Sequence, residues 1–149
     1  MSIGIIGQGF VGNAVFQKFK KYYDIKAYDL KAMLSNATEQ EVLDNDVVFI
    51  CLPTPMNKDG SCYIDIVEAA IKRVFEFGVA TTVVIKSTVP PGTTSKWNKQ
   101  FPSLDIVFNP EFLTEANAVS DYENQTRIIL GGPRKSTTKL KPIFAKVFP

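Results

Sequence analysis

The chain has 149 residues, the length of one ordinary domain. It carries 17 basic and 15 acidic side chains, with 45% hydrophobic and 21% charged residues. That mix excludes a disordered tail, and mixed signs leave no electrostatic footprint for nucleic acid. No apolar run approaches the ~18 residues of a bilayer span, so no membrane partner is expected. The start Met1-Ser2-Ile3-Gly4 lacks the basic-then-apolar pattern of a secretory signal, and a cytoplasmic location is the expectation.

There is no histidine, which removes His-based triads, His general bases and most catalytic zinc sites. The two cysteines, Cys51 and Cys62, match no metal spacing, so no metal is expected, and they form no disulfide framework. Chemistry here must use carboxylates, lysines, hydroxyls, backbone dipoles or a bound cofactor.

Short β-rich runs alternate with helical periodicity, the pattern of an α/β domain with a mostly parallel sheet. The first run is Ile3–Ile6. A helix follows, with Val11, Ala14, Val15, Phe19 and Tyr22 on one face and Gln17, Lys18, Lys20 and Lys21 outside. Ile25–Tyr28 is a second strand, ended by Asp29. From Leu30 to Asn45 there is room for one short helix, with cap residues at 35–38. Val47–Leu52 is continuously apolar, as a strand covered on both faces requires, and Pro53-Thr54-Pro55 stops it.

Asp65 with Glu68 reads as a capping-box start. The helix it opens buries Val67, Ile71, Val74 and Phe75, and Gly78 ends it. Thr82–Lys86 is a strand, broken at Val89-Pro90-Pro91-Gly92. Thr93–Gln100 is a helix around Trp97. Ile106–Phe108 is a strand, followed by an irregular or helical piece with Phe112, Leu113 and Ala118. Arg127–Leu130 reads as a last strand, and a final helix runs from Ser136 or Thr137 to about Phe144. Trp97 and the 11 phenylalanines are read as core or buried interface.

Gly7-Gln8-Gly9-Phe10-Val11-Gly12 is a G-x-G-x-x-G. Alone such a motif is weak. Here it follows a strand, opens an amphipathic helix and has Asp29 about 20 residues on, as a dinucleotide site requires. The first glycine permits the tight turn. The second lets the backbone approach a pyrophosphate, and the third lets the helix sit close to the strand. The helix N-terminus offers free N–H groups and partial positive charge to the phosphates. Asp29 is placed to accept from the adenosine ribose hydroxyls and to repel a 2′-phosphate, favouring NAD over NADP, while Lys31 blurs that preference. FAD can use the same fingerprint, and the structural alternative is a plain turn with Asp29 as a solvated strand end. The expected fold is Rossmann-type, doubly wound, with helices on both faces of the sheet and one domain over 1–149.

The longer stretches are more specific. Val47–Pro55, Ile85-Lys86-Ser87-Thr88-Val89-Pro90-Pro91-Gly92-Thr93, Phe108-Asn109-Pro110-Glu111-Phe112-Leu113-Thr114-Glu115, Arg127–Gly132 and Val147-Phe148-Pro149 resemble the N-terminal domain of the UDP-glucose/GDP-mannose dehydrogenase family over nearly the whole chain. The resemblance implies an NAD-dependent oxidation of a nucleotide sugar at C6, hydroxyl to carboxylate, using two NAD and passing through an enzyme-bound thiohemiacetal and thioester. It implies that residues 7–12 (Gly7, Gln8, Gly9, Phe10, Val11 and Gly12) and Asp29 hold the adenosine half of NAD. Leu52, Pro53, Thr54 and Pro55 would wall the cofactor, and Ser87 and Thr88 would lie near the nicotinamide. Thr88 and Glu111 are the implied catalytic pair, placing a water and moving a proton. Glu111, Phe112, Leu113 and Glu115 would border the sugar nucleotide, with Glu115 also at the nicotinamide ribose.

Thr54, Thr88 and Glu111 each directly follow a predicted strand, and ligands of open α/β sheets sit beyond such strand ends. Glu111 between Phe108 and Phe112 is therefore expected to suit general acid–base work. Structural alternatives stand beside these roles: Glu111 as a helix-start carboxylate, Thr88 as a turn cap, Glu115 as a solvated side chain. Arg127 balances Glu111 or Glu115, or only coats a strand edge.

The family's nucleophilic cysteine follows this domain, and its lysine and asparagine come from the long helix between. The sequence is thus expected to be incomplete alone, finished by a further domain or chain. Cys51 sits in an apolar run and Cys62 in a turn, neither activated as a thiolate. Lys86 is a possible electrostatic aid. The crossover from Asp29 to Val47 is shorter than the family's, which thins the adenine side, and Tyr63 stands where the family often has an acidic residue. The alternative function is a free-standing module that binds NAD or a nucleotide sugar without turnover.

Overall fold

The computed structural model describes residues 1–149. Five strands form one sheet: β1 (Ile3–Ile6), β2 (Ile25–Tyr28), β3 (Val47–Ile50), β4 (Thr82–Ile85) and β5 (Asp105–Phe108). Every pairing is parallel, in the order β2-β1-β3-β4-β5. The chain leaves β1 toward one edge and returns through β3 toward the other. The carboxyl ends of β1 and β3 therefore part at a switch point, where open α/β sheets bind ligands.

Helices cover both faces. Side chains alternate along each strand, so Ile3, Ile5, Val47, Phe49, Val84 and Val107 point to one layer. There they meet α1 (Phe10–Phe19), α5 (Ala118–Glu123) and α6 (Arg134–Val147). Phe19 lies at the centre of that layer, 5.2 Å from Phe49 and 5.7 Å from Phe144 between ring centroids, both edge-on. Ile6, Val48, Ile50, Val83, Ile85 and Ile106 point to the other layer, against α2 (Glu39–Leu43), α3 (Asp65–Phe77) and α4 (Thr93–Gln100). A strand apolar at every position, such as Val47–Ile50, is what burial on both faces demands.

The crossover from β2 to β3 is as short as expected: one 3-10 turn at Ala32–Leu34 and the five-residue α2. Thr38 and Glu41 form a capping box that starts α2. Asn36 then stands in for a further strand along the β2 edge. Its Oδ1 accepts from the Ala27 N–H at 2.8 Å, its Nδ2 donates to the Ile25 carbonyl at 2.9 Å, and its own N–H donates to the Ala27 carbonyl at 3.0 Å. An edge satisfied by side-chain amide is poorly available to pair with another chain.

Several expectations change. Arg127–Leu130 is not a strand: only Gly131 bridges β5, antiparallel to Phe108, and Asn109 takes the Ile129 carbonyl instead. The sheet is consequently all parallel. Helix α1 ends at Phe19, leaving Tyr22 exposed. Glu68 does not cap α3; its carboxylate accepts from the buried Trp97 indole at 3.1 Å, bracing α3 against α4. Phe75 lies at the rim of its layer, half-exposed and packed on Phe101. Helix α6 begins earlier, at Arg134, and contains Pro142. No helix is long and apolar enough to cross a membrane.

Candidate functional site

The carboxyl ends of all five strands open onto one crevice of about 390 Å³. Gly7, Gly9, Phe10 and Val11 line it from the β1–α1 turn. Asp29 comes from the end of β2, Cys51 to Thr54 from β3, Lys86 to Thr88 from β4, and Glu111 from the segment after β5.

The three glycines of the turn have three different surroundings. Gly7 has φ +96°, and a Cβ there would lie 2.5 Å from the Cys51 carbonyl oxygen. The turn needs both a left-handed residue and contact with β3, so only glycine serves. A Cβ on Gly12 would lie 1.9 Å from the Gly7 carbonyl oxygen, so its bare Cα is what lets α1 sit against the turn. A Cβ on Gly9 would meet nothing within 4 Å. That open space lies before the first turn of α1, which has no side-chain cap and no acidic residue. Its unpaired N–H groups and the helix dipole suit an anion that comes close to bare backbone. A dinucleotide diphosphate has that shape and charge.

Asp29 anchors the other side of the turn. Its Oδ2 accepts from the Gln8 N–H at 2.7 Å and its Oδ1 from the Lys31 N–H at 2.9 Å. Ser35 Oγ holds the Asp29 backbone at both N–H and carbonyl. A carboxylate has about four lone-pair sites, so roughly two remain to accept from a ribose diol.

At the far end, hydroxyls lock the loops together. Thr54 Oγ1 donates to the Thr88 carbonyl at 2.7 Å, and Ser87 Oγ donates to the Leu52 carbonyl at 2.6 Å. Both side chains are thereby spent on the wall. Thr88 is exposed on the crevice, and its hydroxyl makes no hydrogen bond within the chain. Glu111 Oε2 accepts from the Leu113 N–H at 2.6 Å, which leaves the other carboxylate oxygen for a ligand or water.

Lys86 and Cys51 form the floor. Lys86 is buried, with its ammonium donating to Asn109 Oδ1 at 3.0 Å and lying 5.3 Å from the Tyr122 ring centroid. Burial pulls its pKa down to about 8, with the nearby Glu111 carboxylate working the other way. Burial pushes the Cys51 thiol up to about 12, although Lys86 works the other way. Cys51 thus stays a thiol, and Cys62 points its sulfur at the Thr54 and Thr88 carbonyls, 3.9 and 3.7 Å away.

The crevice gathers Gly7, Gly9, Phe10, Val11, Asp29, Leu52, Pro53, Thr54, Ser87, Thr88 and Glu111. Gly12 lies behind it in the α1 contact, and Gln8 faces a neighbouring hollow between α1 and β2. Lys31, Pro55 and Glu115 are exposed and outside it. Phe112 is 61% exposed, its ring under the Arg127 guanidinium at 5.3 Å, so it does not give Glu111 an apolar cover. Phe112 and Leu113 instead line a separate hollow with Arg127. Arg127 pairs with neither Glu111 nor Glu115.

Sequence reasoning missed Asn109 and gave Lys86 no partner. The signal was the strand alignment. Ile85 pairs with Phe108, so the polar residues that follow each strand, Lys86 and Asn109, fall side by side.

The comparisons agree with the geometry. Residues 20–148 match the model of the UDP-glucose/GDP-mannose dehydrogenase family, NAD binding domain. The match begins after the glycine turn, whose reading therefore rests on the three glycine environments above. The chain is 30% identical over 165 residues to a UDP-glucose 6-dehydrogenase of Streptococcus pneumoniae, covering 88% of this chain and 41% of that protein. It is 33% identical over 125 residues to the GDP-mannose 6-dehydrogenase of Pseudomonas aeruginosa, covering 72% and 28%. A UDP-glucose dehydrogenase structure from Pyrobaculum islandicum superposes with TM-score 0.83 at 26% identity, covering 98% of this chain and 44% of that one. The chain thus spans about two fifths or less of the length of these curated relatives. With its crevice, its glycine turn and these matches together, the chain belongs to the UDP-glucose/GDP-mannose dehydrogenase family, of which it is the NAD-binding domain.

Proposed function

We propose that this domain holds NAD across its strand ends for a nucleotide-sugar 6-dehydrogenase of the UDP-glucose to UDP-glucuronate type. The observation that carries the reading is the open space at Gly9 beside an uncapped helix start, with the Asp29 carboxylate one strand away. The N–H groups of Phe10 and Val11 take the diphosphate, and Asp29 takes the adenosine ribose hydroxyls. The sheet order then sends the nicotinamide half toward β4 and β5, to Ser87, Thr88 and Glu111. NAD, when bound, supplies the hydride acceptor.

Thr88 offers a free hydroxyl and Glu111 a free carboxylate oxygen on the same crevice. Together they hold a water and take its proton during hydrolysis of an acyl intermediate. Phe112, Leu113 and Glu115 lie on the segment that leads away from Glu111, where a nucleotide sugar and a completing domain would meet this one. The domain spans 1–149 and works in the cytoplasm, where its two free cysteines stay reduced.

Neither cysteine suits nucleophilic attack: Cys51 is held as a thiol and Cys62 faces carbonyls. The nucleophile of the full reaction is therefore assigned to another polypeptide segment. The same observation favours a second reading, a module that binds NAD or a nucleotide sugar without turnover. An assay of this chain with UDP-glucose and NAD, with and without a polypeptide carrying the family's cysteine domain, separates the two. NADH release only with that polypeptide, slowed by Glu111→Gln, supports the dehydrogenase. Tight NAD binding with no release in either mixture supports the module.

A further inference from the structure

Lys86 is a buried cation with no ion pair in contact, the Glu111 carboxylate acting on it only from beyond 4.0 Å. Its ammonium has three N–H donors, of which the chain engages one, through Asn109 Oδ1 at 3.0 Å. No carboxylate lies within 4.0 Å of it. Burying an unpaired ammonium is costly, so its retention on the floor of a ligand crevice asks for a use.

The strand order says which part of a dinucleotide it would meet. Lys86 follows β4, two strands from the glycine turn and three from Asp29. Strands lie about 4.8 Å apart, so Lys86 stands on the order of 10 Å from the diphosphate position, on the side away from the adenosine. That is the span of a ribose and its base.

We propose that Lys86 makes the crevice discriminate between the two redox forms of the dinucleotide, its ammonium opposing the cationic nicotinamide ring of NAD+ and accepting the neutral ring of NADH. This inference rests on the NAD reading given above. It adds that the preference is linked to a proton. The diphosphate and both riboses are common to the two forms, so their contribution cancels in the ratio of affinities. Only the ring charge remains.

The titratable groups that face Lys86 are Cys51 at the end of β3, Glu111 after β5 and Tyr122 on α5. Burial raises the pKa of both Cys51 and Tyr122, so both stay neutral across the accessible range. Lys86 itself titrates near 8. Charges about 8 Å apart in a partly wet crevice change a binding constant roughly ten- to thirtyfold.

The test is to titrate the chain with NADH by fluorescence and with NAD+ by calorimetry, between about pH 6.5 and about pH 9.5. In the wild-type chain the preference for NADH is expected to be larger at the acid end by roughly tenfold and to fall as Lys86 loses its proton. Lys86→Met is expected to show the small preference at every pH, and Lys86→Arg the large one. A wild-type ratio that does not move with pH, or a Lys86→Met chain that keeps the fall, overturns the inference while leaving NAD binding intact. Failure of both forms to bind overturns the inference and the NAD reading together.

Discussion

Two glycine-to-alanine changes, three residues apart, should fail in opposite ways. A methyl on Gly12 would sit 1.9 Å from the Gly7 carbonyl oxygen and 2.8 Å from its carbon. Ordinary contact begins at 3.4 Å, so α1 must move out by 3.4 − 1.9 = 1.5 Å. The obstacle is backbone, held by the Gly7 N–H donating to the Tyr28 carbonyl and by the neighbouring Ile6 carbonyl accepting from the Cys51 N–H, and it cannot turn aside as a side chain can. Overpacking of this kind costs about 1–3 kcal/mol, offset by about 1 kcal/mol for replacing a helical glycine. A backbone clash takes the upper end, so Gly12→Ala should destabilise by about 2 kcal/mol, lowering Tm by about 4–8 °C at this chain length. Gly9→Ala meets nothing within 4 Å and keeps an extended φ of −69°, so it should leave Tm within about 1 °C. Its methyl occupies the space assigned to the diphosphate, however, and NAD affinity should fall at least about tenfold. Thermal denaturation and calorimetry with NAD read both effects. Wild-type affinity in a folded Gly9→Ala chain would refute the placement of the diphosphate.

Three further outcomes are expected. Asp29→Ala should weaken NAD binding on the order of ten- to a hundredfold, as two charged hydrogen bonds to the ribose are lost, with the fold retained by circular dichroism; unchanged affinity removes the ribose from Asp29. Asp105 has its pKa lowered: partial burial raises it, but Lys139 and Ser136, donating at 2.6 and 2.9 Å, outweigh that. A depressed carboxylate contributes stability above its unfolded pKa and loses it as pH falls, so Asp105→Asn should cost about 1 kcal/mol in urea unfolding at neutral pH and nothing once the pH is well below about 4. Lys86 is lowered from 10.5 to about 8 by burial, so the native state binds fewer protons than the unfolded state between those values. Stability of the wild-type chain relative to Lys86→Met should rise through that window, and a parallel pair of pH profiles would show that the ammonium is not buried at a cost.

Most of the framework was legible because both-face burial writes itself plainly. Val47–Ile50 and Thr82–Ile85 are apolar or β-branched throughout and are bounded by turn residues, as central strands covered on both faces require. The glycine turn was legible for a different reason: conformation at Gly7 and close contact at Gly12 leave little choice of residue at those two positions, while Gly9 is explained only by what would bind beside it. The segment 127–130 misled because apolar composition reports burial and not hydrogen bonding. Ile128 and Leu130 pack against the α1-side layer, yet the Ile129 carbonyl goes to the Asn109 side chain. Glu68 misled similarly. Spacing from Asp65 suggested a cap, while the partner that claims it, Trp97, lies 29 residues away. The floor of the crevice was hidden for the same reason: Lys86 and Asn109 are 23 residues apart and meet only through the parallel alignment of β4 and β5.

The most direct measurement is a crystal of this chain soaked with NAD. Density for the diphosphate within hydrogen-bonding reach of the Phe10 and Val11 amides, with the adenosine ribose hydroxyls on Asp29 and the nicotinamide above Lys86, is the predicted result. Density for the dinucleotide elsewhere, or an empty crevice in a crystal saturated with NAD, would contradict the account.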